Sequence, residues 1–103
     1  MAKFVYLYTG GSMAETPEAQ QQAIAAWGAW FGELGEAIID GGNPFGASAS
    51  VGTDGAVTAG GASRASGYTL VKAESLDDAT ALAKGCPVLA TGGAVEIYEA
   101  LDM

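Results

Sequence analysis

The side chains that could do chemistry in this sequence are few, and most of them are carboxylates. The chain of 103 residues contains no histidine and a single cysteine, Cys86. Ordinary zinc, haem and histidine-based nucleophilic sites therefore lack their usual ligands and bases, and an internal disulfide is excluded. Acid or base chemistry near neutral pH falls to Asp40, Glu96, Asp54 or a tyrosine, and a carboxylate becomes useful only where burial raises its pKa. We predict no metal and no cofactor.

Each candidate carboxylate also has a purely structural interpretation. Glu96 alternates with apolar residues in a predicted strand, so it either meets solvent near an edge or, if buried, requires a partner or a proton. Asp40 and Asn43 lie in a Gly-rich loop, where both residue types commonly hydrogen-bond the backbone of their own turn. Asp54 is followed by glycine and is of the same turn-forming type. Asp40 and Glu96 remain the candidates for catalysis.

Cys86 and Arg64 allow the same two interpretations. Cys86 lies on the apolar stripe of a predicted helix with only Lys84 as a basic neighbour, which favours a small buried hydrophobe over a nucleophile. Arg64 could bind a carboxylate ligand through two hydrogen bonds, although a solvated loop arginine is the commoner case. The glycine-rich segments match neither a P-loop nor a dinucleotide fingerprint, because they do not join a strand to a helix with the required spacing.

Charge and hydropathy restrict the class of partner. Twelve acidic residues against four basic ones give a net charge of −8, and the basic residues lie far apart in sequence. This pattern disfavours nucleic acid and anionic membrane surfaces. Mean hydropathy is +0.23, yet no apolar run approaches the roughly 18 residues of a membrane span, and the N-terminal residues carry no visible secretory signal. We expect a cytoplasmic protein.

The first half of the chain predicts a strand followed by a long helix. Residues 3 to 9 alternate between two faces, one of which carries Phe4, Tyr6 and Tyr8. Thr16 and Pro17 are typical of a helix start, and the helix should run to about residue 36. Spacings of three and four place its core stripe at Ile24, Trp27, Phe31, Leu34 and Ile38.

The segment AWGAWFGELGEAIIDGGNPFG, residues 26 to 46, contains both tryptophans. Trp27 falls on the core stripe, whereas Trp30 lies on the flank of the helix. Gly28, Gly32 and Gly35 form a second stripe, which favours close approach of another backbone over ligand contact, although Gly35 could instead be the helix cap.

The second half predicts a hairpin, a strand, a helix and a final strand. The hairpin pairs residues 47 to 51 with residues 56 to 59 at an edge or protruding position, and part of 52 to 63 is expected to be mobile. A strand covers 66 to 73, and Ser75 opens a helix. The last strand covers 94 to 101, with Val95 and Ile97 on one side and Glu96 and Tyr98 on the other. The inner stripe of the second helix is Ala79, Leu82, Ala83 and Cys86.

This order of elements predicts one α+β domain over residues 1 to 103, a ferredoxin-like antiparallel sheet with two helices on one face. Two helices can cover only one face of such a sheet. An exposed row of Phe4, Tyr6 and Tyr8 would be a large apolar patch on a monomer. We therefore expect a homodimer that packs sheet on sheet.

The segments KFVYLYTG, AWGAWFGELGEAIIDGGNPFG and SGYTLVKAESLDDATALAKGCPVLATGGAVEIYE resemble the YCII-related, or DGPF-domain, proteins over nearly the whole length. The resemblance implies a dimeric α/β barrel of ferredoxin-like subunits. Some members are proposed to use a His–Asp pair, which cannot be carried over to a chain without histidine. The DGPF signature appears only as Asp54 and Gly55 followed by Ala56 and Val57, so it departs at both later positions.

Three functional hypotheses remain open. The first is a small-molecule binding protein with a mostly apolar pocket between the long helix and the sheet. The second is a lyase or isomerase that uses Asp40 or Glu96, and the third is a dimeric accessory module without a pocket. The predicted ligand-binding residues of the first hypothesis are Tyr6, Tyr8, Trp27, Asp40, Asn43 and Tyr68.

Overall fold

The computed structural model describes residues 1–11, 15–61 and 64–102, and these residues form an α+β structure. Helix α1 spans Pro17–Leu34 and helix α2 spans Leu76–Ala83. A short 3-10 segment follows each helix, at Gly35–Ala37 after α1 and at Pro87–Thr91 after α2. The six strands are β1 (Ala2–Thr9), β2 (Ile38–Asp40), β3 (Ala49–Val51), β4 (Val57–Ala59), β5 (Ala65–Ala73) and β6 (Ala94–Ala100).

Four strands form one antiparallel sheet in the order β2, β5, β1, β6. The two long central strands, β1 and β5, are paired along their whole lengths, with Val5 opposite Leu70 and Tyr6 opposite Thr69. Strands β2 and β6 are the edges, so the sheet stays open within the chain and does not close into a barrel. The hairpin of β3 and β4 forms a separate two-stranded sheet.

Both helices begin where the sequence predicts. The hydroxyl of Thr16 accepts a hydrogen bond from the backbone N–H of Ala19, and that of Ser75 accepts one from Asp78, each at 3.1 Å. These bonds satisfy amide groups that have no partner inside the first turn of a helix. Helix α1 ends at Leu34 because Gly35 has a φ of +53°, which confirms the capping alternative for that glycine.

The core lies between the two helices and one face of the sheet, which we call the inner face. It carries Phe4, Tyr6 and Tyr8, all buried. The prediction that this row needs a second copy to cover it is therefore wrong. Tyr6 is fully buried because its ring stacks on Trp30 of α1 at 5.9 Å and its hydroxyl donates to the backbone oxygen of Ala79 in α2. The two helices supply both the apolar cover and the hydrogen-bond acceptor.

The predicted core stripe of α1 is confirmed only in part. Leu34 is buried, and Trp27, Phe31 and Ile38 pack against the core, but Ile24 does not. Trp30 is only 3% exposed and Leu34 is buried with it, whereas Trp27 is half-buried and Ile24 is 73% exposed. Trp30 is the better core residue because its indole N–H donates to the backbone oxygen of Leu82 at 3.0 Å. The periodicity could not separate the two tryptophans, since alanines on both flanks leave the apolar face wide.

Three smaller predictions can be compared directly with the structure. A Cβ added to Gly28 or Gly32 would meet nothing within 4 Å, so the prediction of close backbone packing at these glycines is wrong. The inner stripe of α2 is confirmed at Ala79 and Ala83, but Leu82 is 37% exposed. Cys86 is buried as predicted, although it lies beyond the end of α2 at Ala83. The hairpin is confirmed between β3 and β4. Of the segment predicted to be mobile, residues 62 and 63 lie outside the described residues.

Candidate functional site

A cavity of about 350 Å³ lies beside α1, at the end of the inner face where β1 finishes. One wall comes from α1, a second from β1 and β5, and a third from the loop that follows β2. The lining is mainly apolar and aromatic. It consists of Tyr8, Trp27, Phe31, Gly41, Gly42, Asn43, Pro44, Ser66, Gly67, Tyr68, Thr69 and Val88.

The loop from Gly41 to Pro44 is held tightly against β5. Asp40 begins it, and its Oδ1 atom accepts a hydrogen bond from the backbone N–H of Gly42 at 2.9 Å. Gly42 has a φ of +77°, and a Cβ there would overlap the carbonyl group of Tyr68. Only glycine fits both conditions. The loop therefore forms a fixed wall of the cavity, and the turn-forming interpretation of Asp40 is confirmed.

Three aromatic rings form the opposite side of the cavity. The ring of Trp27 meets the ring of Tyr8 at a centroid distance of 5.1 Å and an angle of 79°. It meets the ring of Phe31 at 5.9 Å and 69°. Such edge-to-face pairs are a favourable arrangement of aromatic rings. Trp27 and Phe31 stay half-buried, so part of their surface is available to a molecule in the cavity.

The hydroxyl groups of the lining form a short hydrogen-bonded chain. The phenol of Tyr8 donates to Oγ1 of Thr69 at 2.7 Å, and that hydroxyl donates to the backbone oxygen of Gly41 at 2.9 Å. Ser66 donates to the backbone oxygen of Tyr8 at 3.2 Å. Burial raises the pKa of Tyr8 well above its usual value, because the charged phenolate would be poorly solvated. Tyr8 is therefore neutral at physiological pH.

The residues predicted to bind a ligand divide into three groups. Tyr8, Trp27, Asn43 and Tyr68 border the cavity. The ring of Tyr68 lies on the opposite face of the sheet from Thr69, where it stacks on Phe45 at 5.7 Å. Tyr68 therefore borders the cavity through the backbone of β5. Asp40 lies next to the lining without belonging to it. Tyr6 lies in the core, since its ring and hydroxyl are engaged by the two helices.

Sequence reasoning missed five residues of the lining outside the loop: Phe31, Ser66, Gly67, Thr69 and Val88. Phe31 follows Trp27 by one helical turn, so the same spacing that suggests a core stripe also predicts a shared wall. Thr69 is the residue of β5 that lies opposite Tyr6, and its hydroxyl bonds Tyr8. The sequence does not show that Thr69 lies among aromatic residues, because that placement follows from the pairing of β5 with β1.

The two carboxylates considered for catalysis lie apart from each other. Asp40 is on edge strand β2 and Glu96 is on the opposite edge, β6, and both are exposed. Three interstrand spacings of about 4.8 Å separate these strands. The exposed alternative is thus the correct one for Glu96. Asp40 has polar neighbours, since its Oδ2 atom lies 3.3 Å from the hydroxyl of Tyr68, but the two carboxylates cannot act on one bond.

Cys86 and Arg64 follow their structural interpretations. Cys86 is buried, and burial raises the pKa of its thiol to about 11. A thiol of that pKa is a poor nucleophile near neutral pH. Arg64 is exposed, with a φ of +54°. No group of three or more histidine, cysteine, aspartate or glutamate residues suited to a metal ion occurs within the described ranges.

Comparisons with known proteins find no relative of this chain. No protein-family model, no curated protein and no solved structure matches the chain. In the described part of the chain, neither helix is long and apolar enough to cross a membrane. The cavity and its chemistry are therefore the features from which a function can be inferred.

Proposed function

We propose that this protein binds a small molecule in the cavity beside α1. The observation that carries the proposal is a cavity of about 350 Å³ whose lining includes the half-buried rings of Trp27 and Phe31. Ligand pockets commonly have volumes of about 300 to 1,000 Å³ and combine apolar walls with a few polar groups. The hydroxyls of Tyr8, Ser66 and Thr69 and the amide of Asn43 are such groups. The fixed loop after β2 favours a pocket that exists before the ligand arrives.

Binding is a better conclusion than catalysis because no lining side chain is suited to acid or base work. Asp40 lies outside the lining and Glu96 lies at the far edge of the sheet. The phenol of Tyr8 donates a hydrogen bond to Oγ1 of Thr69 and stays neutral. A general acid or base needs a pKa near the working pH and contact with the reacting group. None of the lining residues meets both conditions.

The test is a variant that fills the cavity while leaving the fold intact. A Cβ on Gly41 would lie 3.9 Å from Cε2 of Phe31, an ordinary contact, so Gly41→Leu extends a side chain toward the aromatic wall. The wild type should gain thermal stability from at least one member of a panel of neutral, cationic and anionic metabolites, since a ligand stabilises the state it binds. Gly41→Leu should lose that gain.

Gly32→Ala serves as the matched control for Gly41→Leu, because its added methyl group would meet nothing within 4 Å. It should keep the ligand-dependent gain in melting temperature. The proposal fails if no compound in the panel stabilises the wild type, or if Gly41→Leu responds to the same compounds with unchanged affinity.

We further propose that the protein is a homodimer of ferredoxin-like subunits. The strand order β2, β5, β1, β6 supports this type of subunit, as does the resemblance to YCII-related proteins. The sheet face opposite the inner face, here called the open face, supports the dimer. It carries apolar and aromatic side chains that are half-buried or, at Tyr98, 52% exposed. These residues are Val5, Leu7, Tyr68, Leu70 and Tyr98. A second copy would cover this surface by sheet-on-sheet packing.

Light scattering tests the dimer. The wild type should give a mass of twice the 10.3 kDa of one chain, and Tyr98→Asp should shift the population toward monomer, because it introduces a charge into the paired face. Thr58→Asp, on the separate hairpin, should leave the mass unchanged. A wild type that is monomeric at micromolar concentration contradicts the dimer, while the pocket proposal would stand.

A further inference from the structure

The cavity is lined without a charged side chain, and this limits the kind of ligand it can hold. None of the twelve described residues of the lining is lysine, arginine, aspartate or glutamate. Lys3 and Lys72 are paired at the other end of the sheet, and Lys84 follows the end of α2. The chain as a whole carries a net charge of −8. Arg64 lies two residues before Ser66 of the lining, but it borders a different cavity, together with Ser48 and Ser50. An anionic ligand would therefore meet an unfavourable field and no counter-charge from the lining.

The hydroxyl groups of the lining are also unsuited to an anion. The hydroxyls of Tyr8, Ser66 and Thr69 each donate a hydrogen bond to another protein group. What they still offer a ligand is lone pairs on oxygen. The indole N–H of Trp27 and the amide of Asn43 are donors, but both are neutral. Carboxylate and phosphate groups are bound most strongly by charged donors, which this lining lacks.

The aromatic corner of the cavity, formed by Tyr8, Trp27 and Phe31, attracts a ligand of positive charge. A cation within about 6 Å of a ring centroid is attracted by the negative face of the ring, most strongly by tryptophan. Trp27 stands nearly perpendicular to Tyr8 and Phe31, at 79° and 69°. Because the planes differ, the corner surrounds a rounded group from more than one direction. Substituted ammonium groups are rounded, apolar at their surface and weakly hydrated, so they suit an apolar lining better than a bare ammonium does.

We propose that the ligand of this cavity is a small organic cation of the substituted ammonium class, held against Tyr8, Trp27 and Phe31. This inference rests on the proposed binding function and adds the charge and chemical class of the ligand. It requires no covalent step and no further group from the protein.

Choline and its uncharged isostere 3,3-dimethylbutan-1-ol test the inference, because the two probes have nearly the same shape. Titration calorimetry on the wild-type chain, supported by tryptophan fluorescence, measures both affinities. Choline should bind about tenfold more tightly than the alcohol, the scale expected for a cation on desolvated aromatic faces. Acetate and inorganic phosphate should show no binding.

Phe31→Leu separates the aromatic face from the apolar volume. It should weaken choline about fivefold while changing the affinity for the alcohol by less than twofold. Phe45→Leu is the matched control, since Phe45 stacks on Tyr68 and does not line the cavity. It should leave both affinities unchanged. Circular dichroism before each titration verifies that the variants are folded.

The possible outcomes separate this inference from the proposed function. Equal affinity for choline and the alcohol, or a preference for any anion, overturns the cationic ligand and leaves a small-molecule pocket. An equal loss of both affinities in Phe31→Leu also overturns it, because packing and not charge would then hold the probe. If neither probe binds while other panel compounds do, the inference falls alone. If nothing in the panel binds, the proposed function falls as well.

Discussion

Helix α1 and strand β1 meet through tyrosine and tryptophan pairs, two of which have opposite characters. Tyr6 and Trp30 are stacked at 5.9 Å with an interplanar angle of 26°, and both are buried. Tyr8 and Trp27 meet edge to face at 5.1 Å and 79°, and Trp27 is half-buried beside the cavity. The two pairs lie only two residues apart on the strand and three apart on the helix. They share residue types and elements but differ in what completes their packing.

The difference comes from helix α2. At the first pair, α2 supplies acceptors for both polar groups, the backbone oxygens of Ala79 for Tyr6 and of Leu82 for Trp30. Helix α2 ends at Ala83 and supplies no such acceptor to the second pair, where Tyr8 bonds Thr69 instead. Aromatic residues therefore make a core where a third element closes over them, and a cavity where it does not. The following predictions test this contrast.

The largest expected effect is the loss of a ring from the closed pair. Trp30→Ala should destabilise the protein by about 3 to 5 kcal/mol, the range for removing a large buried aromatic side chain. Trp27→Ala should cost roughly 1 to 2 kcal/mol, because part of its surface already faces solvent. Urea unfolding followed by circular dichroism measures both. Similar losses for the two variants would contradict the distinction between a closed pair and an open pair.

The second effect is a loss of stability at alkaline pH. Burial raises the pKa of Cys86 to about 11 and that of Tyr6 to about 12. Both groups hold their protons more tightly in the folded state, so unfolding becomes more favourable once the unfolded chain begins to lose them. The contribution of these two groups to the free energy of unfolding is intact below about pH 9. It falls by up to about 1.4 kcal/mol per pH unit for each group as pH rises.

Unfolding free energies measured from pH 8 to pH 11 test this dependence. The wild type should lose on the order of 3 to 4 kcal/mol over that interval. Cys86→Ala removes the group that titrates first, so its decline should begin about one pH unit later. A wild-type profile that stays level up to pH 11 would mean that neither group is buried in the way the structure describes.

The third effect compares the two phenols by removing each hydroxyl. Tyr6→Phe should cost about 1 to 1.5 kcal/mol, because it leaves the backbone oxygen of Ala79 without its buried donor. Tyr8→Phe should cost about 0.5 kcal/mol, since Thr69 keeps its bond to Gly41 and the site borders the cavity. Urea unfolding of the two variants gives the comparison. A larger loss at Tyr8 would contradict it.

The parts of this fold that follow local rules are those the sequence predicts well. The caps at Thr16 and Ser75 depend on residues within one helical turn, and the strand alternation depends on nearest neighbours. The choice between Trp27 and Trp30 depends on where α2 ends in space, some fifty residues along the chain, and no local pattern contains it. For the same reason the sequence favours a partner as the cover of the inner face of β1, whereas the helices of the chain cover it.

The candidate site shows the same division. Tyr8, Trp27 and Asn43 could be grouped because a helix, a strand end and a polar loop converge in the predicted fold. Ser66 and Thr69 could not, because their involvement depends on the register of β5 against β1. The periodicity predicts that Phe31 packs against the core, which it does, but not that Phe31 also forms a wall of the cavity. Hydrophobic periodicity identifies which residues leave water, but it does not reveal whether the space they face is filled.

The smallest effect concerns the exposed glycines of α1. Gly28→Ala and Gly32→Ala should each stabilise the protein by about 0.5 to 1 kcal/mol, because alanine reduces the backbone freedom of the unfolded chain and nothing lies within 4 Å of the added methyl groups. Gly35→Ala should destabilise it, since its φ of +53° suits glycine.

If Gly28→Ala or Gly32→Ala were destabilising, another surface must contact this side of α1, and a second copy of the chain would then reach the helix as well as the open face. Thermal unfolding of the three variants, measured at two protein concentrations, distinguishes a contact within one chain from a contact between chains.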